Sequence, residues 1–250
     1  MNTPLPLSIV IPARDEADRI GAMVAAHRWA DEIIVVDNGS TDRTTAIAAE
    51  AGARVIAAPG ITIGAARNRG ADAARHQWIL ALDADERVDG FLVAAIAAVL
   101  DGTTVEAWRF RRVNRYLGRD QRFGALRPDW VTRLYRPSLR FSEPQVHESL
   151  QVERGVGTLP GTLYHEPYRD LAHHLDKIDR YARWGADDLR RAGRLPRWGD
   201  LAVRPAWRFV RTWILRGGIL EGRTGWIASR MEARSVRLKY LRLRERSTPG

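Results

Sequence analysis

Two aspartates separated by one small residue, Asp83-Ala84-Asp85, place two carboxylates side by side at the end of an apolar stretch. Oxygen ligands at that spacing suit a hard divalent cation, Mg2+ or Mn2+, that itself holds phosphate oxygens. Three more polar clusters each follow an apolar run: Pro12-Ala13-Arg14-Asp15-Glu16, Asp37-Asn38-Gly39-Ser40-Thr41-Asp42, and Gly60 to Asn68. Asp37 can accept hydrogen bonds from a base or a ribose, and a Gly39-Ser40 turn lets backbone approach a ligand closely. Arg67 and Asn68 can reach phosphates or a sugar from the start of a helix. An Asp closing a strand is equally often a cap or turn residue. Four such clusters at one edge of a sheet form a stronger pattern, that of a nucleotide-diphosphate site with a bridging metal.

The elements that must hold these residues alternate between strand and helix. LSIVIP (7–12), EIIVVD (32–37), ARVIAA (53–58) and QWILALD (77–83) read as buried strands. Stretches 16–29, 42–51 and 64–76 between them read as helices, with Ser40, Thr41 or Asp42 placed to cap the second. That order predicts βαβ units and a mainly parallel sheet, whose ligands sit at the carboxyl ends of the strands. Beyond Leu100, VEAWRFRRVN (105–114), WVTRLYRP (130–137) and GTLYHEP (161–167) read as further strands. From about Arg169 the pattern turns helical over 171–193, 203–216 and 222–245, the last two separated by Gly217 and Gly218. The expected build is a catalytic α/β domain over 1–168 and a helical, basic extension over 169–250. A Rossmann dehydrogenase is disfavoured, because the first strand runs into IPARDE instead of a Gly-rich phosphate turn.

The 250 residues are 45% hydrophobic and 28% charged, the balance of a water-soluble globular chain. There is no cysteine, which excludes disulfides, thiolate metal sites and cysteine nucleophiles. The longest apolar run, Phe91 to Leu100, is half of the about 20 residues that a spanning helix needs. The first residues carry no basic, signal-like stretch, so the chain is expected on the cytosolic side. The formal charge of +10 is uneven: residues 1–100 hold nine basic and 13 acidic side chains, residues 189–250 hold 16 and four.

SIVIPARDE, EIIVVDNGSTDRT, GAARNRG and WILALDADE resemble the successive motifs of family 2 glycosyltransferases with the GT-A fold, in order and spacing over roughly residues 7–90. RPDWVTRLYRP, QVHESL, GTLYHEPY and RGGILEGRTGW are similar to the bacterial subgroup that adds glucose or related sugars to the lipopolysaccharide core. The resemblance implies that Pro12, Ala13, Arg14 and Glu16 border the uracil and ribose of a UDP-sugar, with Asp15 standing where many relatives carry Asn. It implies that Asp37 binds the base beside Ser40 and Asp42, and that Arg67 contacts the donor near its sugar or diphosphate. Asp83 and Asp85 become the DxD pair, with Asp85 the closer metal ligand.

Family members invert the anomeric carbon, which requires a base for the acceptor hydroxyl. The Glu-Asp pair that supplies it in many relatives is missing downstream of Asp85. Val146-His147-Glu148 is the nearest equivalent, making Glu148 the candidate base and His147 its substitute or orienting partner. His165 is a candidate third metal ligand. Arg133 and Arg136 are candidates to clamp the diphosphate, and Trp130 to stack on a sugar. Each also has a plainer structural reading, as a turn, core or solvated residue.

The last third mixes arginines with Trp198, Trp207, Phe209, Trp213, Ile214, Leu215, Ile219 and Trp226. Basic amphipathic segments with Trp fit an anionic membrane surface; the alternative is packing on the catalytic domain with solvated arginines. No nucleic-acid motif accompanies the charge, so nucleic acid is not an expected partner. The leading expectation is a metal-dependent inverting transferase acting on a lipid-linked envelope glycan at the inner face of the cytoplasmic membrane. A polyprenyl phosphate, a polysaccharide or a protein acceptor, or a non-catalytic nucleotide- or membrane-binding module, are the alternatives. Polyprenyl-phosphate synthases often carry added membrane helices, which disfavours that acceptor.

Overall fold

The structure is a computed structural model that describes residues 3–143, 148–153, 155–195 and 197–245. The chain divides into two compact units: residues 1–112 with 129–165, and residues 113–128 with 166–250. The helical unit therefore includes a segment from the middle of the chain.

The first unit is built on a mixed sheet. Strands β1 (Leu5–Ala13), β2 (Ala30–Asp37), β3 (Arg54–Ala57) and β4 (Ile79–Ala81) are parallel, in the spatial order β3-β2-β1-β4. Helices α1 (Ile20–Ala26), α2 (Thr44–Glu50) and α3 (Ile63–Ala73) provide the crossovers, as expected for β-branched strands separated by alanine-rich helical stretches. Beyond β4 the sheet continues through β8 (Asp129–Tyr135), β6 (Ala107–Tyr116), β9 (Gly157–His165) and β5 (Glu86–Val88). The pairings of β4 with β8, β8 with β6, and β5 with β9 are antiparallel. Residues 113–116 at the end of β6 and the two-residue strand β7 (Arg119–Asp120) that pairs with them belong to the second unit. The expected mainly parallel sheet thus holds for the first four strands, and antiparallel strands complete it.

Alternation along β1 sorts the core into two layers. Leu7, Ile9 and Ile11 join Ile20, Met23 and Val24 of α1, together with Leu92 and Ile96 of α4 (Gly90–Ala97). Val10 faces the other way, with Ile34, Val36, Ile79 and Ala81, and packs with Ala66 and Ala71 of α3. A side chain at Gly70 of α3 would collide with Val10, so the helix lies directly on the strand there. The apolar run after Asp89 is α4, and the Asp89 carboxylate caps it by accepting from Leu92 N at 2.7 Å.

The second unit consists of α5 (Leu171–Arg191), α6 (Trp198–Val210) and α7 (Gly222–Glu245), with residues 113–128. Arg211–Leu215 continue α6 as a wider π-type turn, and Gly218–Glu221 form a 3-10 turn before α7. Its buried apolar cluster is small: Ala186, Tyr240 and Leu243, with Leu189, Leu201 and Val236 against them. Among the described residues no helix is long and apolar enough to cross a membrane.

Candidate active site

The four polar clusters converge at the carboxyl ends of β1, β2 and β4 and the loop after β3. Ala13 ends β1 directly beside Asp37, which ends β2. The Asp37 carboxylate is 6% exposed and accepts from Gly39 N at 3.2 Å, from Ser40 N and from the Ser40 hydroxyl. It therefore orders its own turn, which Gly39 enters with φ 78°. Asp42 accepts from Thr44 N at 2.9 Å and from the Thr44 hydroxyl, giving α2 its side-chain cap one residue earlier than the helix boundary requires.

The loop after β1 is tied to the loop after β2. Asp15 N donates to Ser40 Oγ at 3.0 Å, and Asp15 Oδ1 accepts from Thr41 N at 2.8 Å. Glu16 N donates to Thr44 Oγ1 at 2.8 Å. Asp15 has a left-handed φ of 54°, a conformation that Asp and Asn tolerate better than most residues. Arg14 beside it is exposed. Asn38, which the sequence reading did not single out, brackets Ile61 with two hydrogen bonds, to Ile61 O at 2.8 Å and from Ile61 N at 3.2 Å. It joins the loop after β3 to the same edge.

At the centre stands Arg67, on α3 and 1% exposed. One Nη donates to Asp83 Oδ1 at 2.5 Å and the other to Glu148 Oε1 at 2.6 Å, while the guanidinium lies 4.9 Å from the Phe141 ring centroid. The other oxygen of Asp83 accepts from Arg133 at 2.9 Å. Burial alone would raise the pKa of Asp83, but the Arg133 and Arg67 guanidiniums outweigh it and hold the carboxyl well below the usual range. Both Asp83 oxygens are thus engaged by arginine, each with a further lone pair.

Arg133 reaches the cluster through an irregularity in the sheet. Pairing between β6 and β8 runs from Trp108↔Leu134 to Arg109↔Thr132, so Arg133 is the extra residue of a bulge on β8, a device that re-aims a side chain. It also approaches Glu86 Oε1 at 3.5 Å, and Arg112 of β6 approaches the same oxygen at 3.3 Å. Glu86 Oε2 accepts from Asp83 N at 3.0 Å. Glu86 and Arg112 were not anticipated; the only trace of the former was an acidic residue directly after Asp85.

Asp85 occupies a different setting. Its Oδ1 is 3.5 Å from His165 Nε2 and its Oδ2 3.9 Å from Arg19. Burial disfavours the His165 imidazolium, but hydrogen bonding and charge from Asp85 outweigh it and raise the pKa. His165 is carried there by the antiparallel pairing Glu86↔His165 between β5 and β9. A carboxylate oxygen and an imidazole nitrogen side by side fit Mn2+ or Mg2+ when substrate oxygens and water supply the remaining positions. Among the described residues no group of three acidic or histidine side chains could hold a metal unaided.

Three residues singled out in the sequence fall elsewhere, and a fourth lies outside the described residues. Arg136 stands apart from Arg133, at the opposite edge of β4: it donates to Gln77 O at 3.3 Å and its guanidinium lies 4.0 Å from the Trp78 ring centroid. The two guanidiniums thus meet groups at opposite ends of β4 and are not brought together. Asn68 spends its amide on the chain at Phe141, donating to Phe141 O at 2.9 Å and accepting from Phe141 N at 2.8 Å, so it does not point at a ligand. His147 lies outside the described residues. Trp130 is 55% exposed at the start of β8, with the Arg109 guanidinium 5.5 Å from its ring centroid.

The model of the glycosyl transferase family 2 matches residues 8–148. An uncharacterized glycosyltransferase of Rickettsia prowazekii is 27% identical over 96% of this chain and 87% of its own length. The lipopolysaccharide core biosynthesis glycosyltransferase LpsC of Rhizobium meliloti is 27% identical over 93% of this chain and 92% of its own. Among solved structures, the glucosyl-3-phosphoglycerate synthase of Mycobacterium tuberculosis, in complex with Mn2+, uridine-diphosphate-glucose and phosphoglyceric acid, overlays with a TM-score of 0.37 at 25% identity. The overlay covers 44% of each chain, so this chain spans less than half of that enzyme.

Proposed function

The chain belongs to glycosyl transferase family 2 and has the GT-A fold, and from that premise we propose that it moves a sugar from a UDP-sugar to a lipid-linked envelope glycan such as the lipopolysaccharide core. The observation that carries the reading is Arg67 holding Asp83 and Glu148 together beside Asp85 and His165. Likeness to LpsC over nearly the whole of both chains supports the choice of acceptor.

In this reading the Asp37 turn and the loop from Pro12 to Glu16 border the nucleoside, and Asp42 keeps the two loops together through Ala17 N. Arg67 and Arg133 offset the negative charge of Asp83, Glu86 and Glu148, which lessens their repulsion of a diphosphate leaving group. Asp85 and His165 are the residues that would hold a Mg2+ or Mn2+ ion. Such an ion would supply charge neutralisation of the departing diphosphate. Glu148, anchored through Oε1 by Arg67, takes the acceptor hydroxyl proton on its other oxygen. The acceptor oxygen then bonds to the anomeric carbon from the face opposite the diphosphate, the bond to phosphate breaks, and the configuration inverts. Unit 1 carries this chemistry, and the basic helical unit serves as its attachment to an anionic membrane on the cytoplasmic side.

Calorimetric titration with UDP, ADP and GDP, each with and without Mn2+, tests the donor. Metal-dependent binding of UDP alone is the expected result. No binding of any nucleotide would leave a non-catalytic module as the better reading. Transfer of labelled sugar to purified core lipopolysaccharide, a polyprenyl phosphate and a soluble polysaccharide then separates the acceptors.

A further inference from the structure

The second unit presents an apolar tip that its interior takes trouble to hold in place. Ile214, Leu215, Ile219 and Leu220 are each more than half exposed, at 57%, 64%, 57% and 69%, and Phe123 beside them is 43% exposed. They sit on the two turns either side of Gly217, whose own position borders both Phe123 and Leu220. These turns are rigidly built. The buried Glu221 carboxylate accepts from Arg122 N at 2.7 Å and from Phe123 N at 2.9 Å, and Gly124 N donates to Arg216 O at 2.8 Å. A side chain at Gly124 would meet the backbone of Gly218, and one at Gly225 would collide with it, so the turns are packed backbone on backbone.

Around the tip basic side chains predominate: Arg211 and Arg216 bracket the wide turn, Arg127 follows the segment that Gly124 N ties to Arg216 O, and Arg208 pairs with Glu232 at 3.6 Å. The pKa of Arg216 is lowered by partial burial and then by the charges of Arg211, Arg127 and Arg208, with Glu232 as the opposing carboxylate. The positive charges of these arginines thus act on one another. Trp207 and Trp226 are half exposed nearby in the fold order, and Trp226 packs against Phe209 and Trp213 at ring distances of 5.0 and 5.4 Å. Exposed aliphatic side chains on a preformed turn, with repelling arginines and tryptophans behind them, match a bilayer: acyl chains for the aliphatics, phosphates for the arginines, the interface for the tryptophans. A second copy of the chain would bring the same positive charges together.

We infer that Phe123, Ile214, Leu215, Ile219 and Leu220 insert into an anionic lipid bilayer, with Arg127, Arg208, Arg211 and Arg216 receiving its headgroup phosphates. This deepens the membrane reading given under Proposed function, and its test is independent of sugar transfer.

The test is co-sedimentation of the full chain with phosphatidylcholine vesicles, with and without phosphatidylglycerol. Binding should require phosphatidylglycerol and weaken as salt screens the headgroups. Ile219→Asp with Leu220→Asp should weaken partitioning by about tenfold or more. Arg211→Gln with Arg216→Gln should also weaken it and flatten the salt dependence. Both pairs are at the surface of the turns, and unchanged circular dichroism and UDP titration would show that the fold persists. Failure of the wild type to bind anionic vesicles, or wild-type binding by the Asp pair, overturns the inference. So does a concentration-dependent dimer in sedimentation equilibrium that the Asp pair dissolves while vesicle binding is absent. A chain that binds vesicles but no nucleotide would refute the transferase reading and leave this one standing.

Discussion

Asp83 and Glu86, three residues apart, share the Arg133 guanidinium yet shift in opposite directions: burial raises the Glu86 carboxyl, while Arg133 and Arg67 pull Asp83 down against its own burial. Glu86 is the inner support of the site. It holds the Asp83 backbone N–H with one oxygen and two arginines with the other. Glu86→Ala would orphan that N–H and leave Arg133 with Asp83 and Arg112 with Asp129 as their remaining partners, and should lower stability by about 1–3 kcal/mol. Glu86→Gln keeps an acceptor for the N–H and should cost visibly less. Urea unfolding of the three proteins checks the order.

Arg67→Lys retains the charge but not the fork that reaches two carboxylates at once. Nucleotide affinity and transfer should both fall, by about tenfold or more, with one lost charge-assisted hydrogen bond setting the scale. Calorimetry with UDP and a transfer assay measure the two separately, and a variant equal to wild type in both would remove Arg67 from the site.

Asp85→Ala and Glu148→Gln should fail in different ways. The first should lose the Mn2+-dependent part of UDP binding while keeping the fold. The second should bind UDP and Mn2+ normally and transfer sugar about a hundredfold more slowly or worse, the usual scale for a missing general base. Near-normal turnover by Glu148→Gln would exclude it as the base.

Asp15, where the family resemblance implies Asn in many relatives, holds a position whose backbone and hydrogen bond either residue can serve. Asn also tolerates the left-handed φ of 54° and offers the same Oδ1 to Thr41 N. Asp15→Asn should therefore leave stability within about 0.5 kcal/mol of wild type. Asp15→Val should be worse, since a β-branched residue resists positive φ. Thermal unfolding compares them.

His174 makes the second unit sensitive to acid. It is 4% exposed, shares a hydrogen bond of 2.8 Å between Nδ1 and the Tyr116 hydroxyl and stacks on Tyr168. Burial, and then the charges of Lys177 and His173, lower its pKa to about 4 from 6.5. The unfolded chain binds the proton first, so the stabilisation is complete above pH 6.5 and is lost as pH falls towards 4. Allowing for solvent screening, the loss should be about 2 kcal/mol. Unfolding at pH 7.5 and pH 5 should show a smaller difference in His174→Gln than in wild type.

The first four strands and the loops that leave them were legible, because each strand is a short β-branched run ending in a polar turn and period-2 burial leaves little choice of register. Asp37, Arg67, Asp83 and Asp85 were found for the same reason. Arg133, Glu148 and His165 were also named as candidates, but the partners they take were hidden in strands that alternate arginine with apolar residues. There the face a side chain takes depends on the bulge at Arg133, which no local pattern announces. The same blindness joined Arg136 to Arg133, and it left Glu86 and Arg112 unnoticed, since their partners lie on other strands. Segment 113–128 gave no sign of belonging with the helices, because its ties, such as Glu221 to Phe123, run across almost a hundred residues.

Because one guanidinium at position 67 satisfies both Asp83 and Glu148, the DxD loop and the candidate base form a single genetic unit. Substitutions at 83 and 148 should be epistatic, each altering what the other costs, and a drifting lineage can change one only along paths that keep the other viable.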